Sequence, residues 1–99
     1  MALTVTGENP FVVVASADDD EGAITTKEVS VAFLIWTAYD STSDTCEVQD
    51  TAGDVVFIFP ANTTAGVPMI SPRIDKKYVG LKIPTNGMDT GTLYIYRND

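Results

Sequence analysis

The chain contains no histidine, one cysteine and only six basic residues against fourteen acidic ones. Each shortage removes a class of chemistry. Without histidine there is no imidazole base near neutral pH, and neither a Ser/His nor a Cys/His nucleophile pair can be assembled. Zinc centres with histidine ligands are excluded, and one thiolate cannot build a cysteine cage. The lone Cys46 permits no internal disulfide. It sits beside Glu47 and Val48 in an expected strand, the setting of a small buried thiol; a reactive thiol wants a cationic neighbour. The glycines are isolated, so no phosphate-cradling loop is present. Paired carboxylates are chemically possible, but the acids are scattered and no pair stands out. The expectation is a protein that is not an enzyme, with no catalytic residue, no cofactor and no metal.

Basic residues are too few, at a net charge of −8, for phosphate contacts or for docking on anionic lipid. No nucleic-acid partner and no membrane are therefore expected. The longest apolar run, Val31–Trp36, is far too short to span a bilayer. Residues 1–5 lack the charged and apolar regions of a secretion signal, so synthesis and folding in a cytosol are expected. With no secretory signal, the acceptor pattern Asn62-Thr63-Thr64 is a chance match.

What is present is strand texture. Ninety-nine residues make one domain, 1–99. Leu3–Thr6 alternates apolar and polar, and Gly7–Pro10 then breaks it, so residues 1–10 could form an extended N-terminal arm. Phe11–Ala15 is β-branched. Val29–Ala38 is the longest candidate strand, with Val29, Val31, Phe33 and Ile35 on one face and Ala32, Leu34 and Trp36 on the other. Cys46–Asp50 and Val55–Phe59 flank a tight hairpin at Thr51–Asp54. Residues 60–68 are irregular, because two prolines leave little for a ladder. Tyr78–Ile83 follows, with Val79, Leu81 and Ile83 inward and Pro84 as its end. Gly91–Arg97 closes the chain. This pattern predicts an all-β fold: a compact β-sandwich or jelly-roll-like barrel of about seven or eight short strands. The predicted core is Val5, Val13, Val31, Phe33, Ile35, Val55, Phe57, Leu81, Ile83, Leu93 and Ile95.

Several groups are candidates for contact. Asp18–Glu21 with Gly22 fails the spacing of a calcium loop and reads as a solvated loop. Arg73, Lys76 and Lys77 gather half of the basic residues, either as a charged loop or as a docking patch for an acidic neighbour. Tyr94 and Tyr96 share one face of the last strand, as an interface anchor or as a second buried layer. Trp36 reads as core more readily than as a sugar platform. The interface candidates are Leu3, Val5, Arg73, Lys76, Lys77, Tyr94 and Tyr96.

Three passages resemble a group of small head-associated proteins of tailed bacteriophages. They are the hairpin Gln49-Asp50-Thr51-Ala52-Gly53-Asp54-Val55-Val56-Phe57, the segment Tyr78-Val79-Gly80-Leu81-Lys82-Ile83, and the terminal Asp89-Thr90-Gly91-Thr92-Leu93-Tyr94-Ile95-Tyr96. The likeness spans roughly Thr25 to Arg97. It implies a capsid decoration (cement) protein on the outer capsid surface of the virion. Its partners would be the major capsid protein and other copies of itself, with a trimer favoured. The alternative is a tail, fibre or head-spike module that recognises a host glycan through Trp36 and tyrosines.

Overall fold

A computed structural model describes residues 3–15, 20–62 and 64–98, with the side chains of residues 20 and 86 left out. Ser16 to Asp19 fall outside it, and with them Asp18 and Asp19 of the acidic run; Asp20, Glu21 and Gly22 begin a strand where a loop was expected. The described chain is all-β. Its strands are β1 (Thr4–Thr6), β2 (Phe11–Val14), β3 (Asp20–Thr37), β4 (Cys46–Gln49), β5 (Val55–Phe59), β6 (Met69–Ile70), β7 (Lys76–Met88) and β8 (Thr92–Arg97). All pairs are antiparallel, in the order β1-β2-β8-β3-β7-β4-β5, with β6 also on β3.

The eighteen-residue β3 organises the fold. Its first part pairs with β7, and its last part pairs with β8 on one edge and β6 on the other. The sheet is thereby coiled on itself as a small sandwich or barrel, and inward side chains from both parts meet in one core. Val13, Val31, Leu34, Trp36, Cys46, Val48, Met88, Leu93 and Ile95 are fully buried there. The radius of gyration is 12.1 Å, close to the roughly 13 Å of a packed chain this long.

Bulges decide which side chains reach that core. On β3, Val31 opposes Arg97 but Phe33 opposes Tyr96, so Ala32 is an extra residue. Beyond it the alternation inverts. Leu34 and Trp36 point inward opposite Ile95 and Leu93, while Phe33 and Ile35 turn outward and are only half-buried. Both were expected in the core. Val55 is corrected for the same reason: a bulge after Val48 pairs it with outward Gln49 and leaves it 51% exposed. On β7, an extra β3 residue between Thr25 and Glu28 and the positive φ of Gly80 put Tyr78 inward and Val79 outward. Val5 and Phe57 are half-buried at the margin of the core.

Two strand boundaries also differ from expectation. β3 starts at Asp20, nine residues before the expected Val29. Three register breaks along this stretch hide the alternation. β7 runs past Pro84 to Met88. The proline is tolerated because residues 84–87 have no ladder partner: Ile83 pairs with Gly22 and the next pair is Met88 with Asp20.

Candidate functional site

The outer face of the layer formed by β1, β2, β8, β3 and β6 carries one apolar row. Opposed residues across five strands are Thr6, Val12, Tyr94, Ile35 and Ile70. Next to it Tyr96 stacks on Phe33, with ring centres 4.7 Å apart and planes 11° from parallel. The Arg73 guanidinium lies 5.9 Å from the centre of the Phe33 ring. Tyr94 and Tyr96 are half-buried, and Ile70 is 67% exposed. Within this chain, then, these tyrosines form an outer surface over the sheet, while Leu93 and Ile95 on the same strand are core.

The sequence-predicted contact residues separate into three places. Arg73 belongs to the aromatic end of this face. It is bound to Asp75 through Nε at 3.0 Å and Nη2 at 2.9 Å, and Nη2 also donates to Asn98 at 3.2 Å. The hydrogen bonds from Arg73 and then from Asn98 hold the Asp75 carboxyl below its ordinary pKa. Lys76 and Lys77 lie on β7 instead. Lys76 Nζ sits 5.5 Å from the Tyr78 ring centre, and Lys77 is 3.6 Å from Glu28. Leu3 and Val5 pack against the core from the β1 side. Thr4–Thr6 is paired with β2 as a hairpin strand, so these residues are tied to the sheet. Arg97 fastens that hairpin to β8: its backbone N–H donates to Asn9 Oδ1 at 3.1 Å, and its Nη1 donates to the Glu8 carbonyl at 3.3 Å.

A second exposed apolar region surrounds the β4–β5 hairpin. Val55, Ile58 and Val79 are 51%, 49% and 64% exposed. A cleft of about 560 Å³ lies beside it, lined by Asp50, Asp54, Lys76, Lys77, Tyr78 and Val79 among others. The hairpin is held in place from below. The Thr51 N–H donates to the Val79 carbonyl at 3.2 Å, and a Cβ on Gly80 would fall 1.9 Å from Thr51 Oγ1. The acids here have turn duties, since the Asp50 carboxylate accepts from the Asp54 N–H at 2.9 Å. Burial, then the charge of Asp50, raises the Tyr78 pKa.

Trp36 is no platform. It is fully buried, stacks on Tyr39 at 4.2 Å, and donates from Nε1 to the Thr90 carbonyl at 2.9 Å. The Tyr39 hydroxyl in turn donates to the Val67 carbonyl and accepts from Asn62 Nδ2 at 3.1 Å, which anchors the irregular 60–68 segment. Cys46 is fully buried, and burial, then Asp89 and Glu47, keeps its thiol protonated. Among the described residues no three Asp, Glu or Cys side chains gather as a metal-holding group.

Ile70 and Ile58 escaped sequence reasoning. β6 is two residues between Pro68 and Pro72, too short to show an alternation. Ile58 looked like an ordinary strand residue; the available signal was the absence of any charge from Val55 to Phe59.

Compared with known proteins, the chain matches no family model, no curated protein and no solved structure.

Proposed function

We propose that this chain is a virion structural protein: a decoration protein that binds the outer capsid shell and strengthens contacts between capsomers. The observation that carries the reading is the apolar outer face of Val12, Phe33, Ile35, Ile70, Tyr94 and Tyr96. It spans four strands, β2, β8, β3 and β6, and its aromatic rings are braced against each other and against Arg73. A rigid amphipathic surface of this kind anchors a protein partner at low entropic cost. The resemblance to phage head proteins supplies the partner, the major capsid protein, and the setting, the outer surface of the head. Its hairpin and terminal passages correspond to β4–β5 and β8. The non-catalytic reading follows from the missing histidine and the buried thiol. The glycan alternative loses Trp36, which lies in the core, and keeps only its tyrosines.

Many weak contacts on a closed shell act together, so one site need not be tight. The test adds purified protein to shells prepared without it and measures rupture on heating or osmotic shock. Binding that raises resistance is expected, and Ile70→Asp should weaken binding about tenfold or more. Shells that take up no protein, or take it up without gaining resistance, contradict the proposal.

A further inference from the structure

The sheet ends in two edge strands, β1 and β5, and β5 is apolar throughout: Val55-Val56-Phe57-Ile58-Phe59. It holds no charge, proline or glycine. Among the described residues its far side forms no ladder and takes no backbone hydrogen bond. Phe57 and Phe59 face inward and meet edge to face at 4.8 Å, while Val55 and Ile58 are about half exposed. Soluble proteins guard open edges with lysine, proline, brevity or a bulge. Here the guards are one bulge at the start and Pro60 after the end. A charge-free β-branched and aromatic edge is otherwise a template for another strand.

We infer that β5 pairs antiparallel with β5 of a second copy of this chain, giving a two-fold dimer through which the two sheets run on as one. The symmetric register fits a second copy, and charge selects this place. With a net charge of −8, a second copy meets like charge over much of the surface, but not along β5. Centred on Phe57, the pairing sets Phe57 against itself, Val56 against Ile58, and Asp54 against Pro60. No like charges come opposite one another. The two Asp54 carboxylates stand at opposite ends of the ladder, about 20 Å apart at strand spacing, beyond the roughly 8 Å screening length of physiological salt. A five-residue ladder is a small interface, so the dimer is expected to be weak, roughly micromolar. Its symmetry is two-fold and closed, where the phage resemblance favours a trimer.

Sedimentation of the purified chain over a roughly micromolar to millimolar series tests this. The expected result is a monomer–dimer equilibrium approaching twice the 10.6 kDa chain mass. Ile58→Lys should weaken it at least tenfold, and Thr4→Lys on the opposite edge should not. Near-ultraviolet circular dichroism of the buried Trp36 reports whether each variant is folded, and Val55→Lys repeats the test should Ile58→Lys unfold. A monomer at every concentration, a trimer, an open-ended aggregate, or a dimer insensitive to both β5 variants would overturn the inference. The result is separate from shell binding: a monomer that still decorates shells sinks the dimer alone, and a dimer that ignores shells sinks the decoration role alone.

Discussion

The two edges of this sheet are built differently. β1 is three residues, Thr-Val-Thr, with both threonines exposed and Val5 turned toward the core. It is short and polar on its outer side, and Gly7 and Pro10 punctuate the turn that follows. β5 is five residues with no polar side chain. Both strands are joined by hairpins to better-buried neighbours, so hairpin geometry does not explain the contrast. A brief polar edge gives an approaching strand little to bind, whereas β5 offers backbone groups and apolar side chains together. In a chain so acidic, five consecutive uncharged edge residues are best understood as a surface made to be covered.

The contrast can be broken from either side. The largest expected effect is at Gly80, the seat of the β4–β5 hairpin. Gly80→Ala adds a Cβ onto Thr51 at a backbone φ of +77° and should cost about 2–4 kcal/mol in denaturant unfolding. It should also loosen β5 and lower dimerisation. On the β1 side, Val5→Ala removes a half-buried side chain and should cost only about 1 kcal/mol, with association unchanged.

A smaller difference appears at alkaline pH, again on the β4–β7 side. The folded state raises the pKa of Cys46 above its ordinary 9.0 and that of Tyr78 above 10.0. The unfolded chain therefore releases these protons first. Their contribution is complete below pH 9 and is lost as pH climbs through the raised values. Stability measured by urea unfolding should decline above that point. The Cys46 thiol should react with a disulfide reagent only as fast as the protein opens, and rapid labelling of the native state would contradict its burial.

Much of this architecture was legible in the residues because β-strand alternation is a local signal. Alternation puts Val13, Val31, Leu81, Ile83, Leu93 and Ile95 in the core, and all six are buried. The hairpin at Thr51–Asp54 and the closing strand were legible too, since turn glycines and β-branched runs mark them. The errors at Phe33, Ile35, Val55 and Val79 come from extra residues in the ladder. A bulge is set by which strand lies alongside, and nothing within Val29–Ala38 announces that Ala32 is skipped in the register with β8. The same inversion hides the apolar outer face: strict alternation puts Phe33 and Ile35 inward, which leaves Tyr94 and Tyr96 without visible neighbours. Ile70 was invisible for a different reason, because a two-residue strand has no period. The unguarded β5 edge was present in the sequence as a charge-free run, but its place at the end of the sheet is a property of topology.

Amide hydrogen exchange at low and high protein concentration tests most directly the claim that β5 is the associating edge. Exchange in residues 55–59 should slow as concentration rises, while exchange in residues 4–6 stays constant. Exchange independent of concentration along β5, or protection that grows equally at β1, would contradict it.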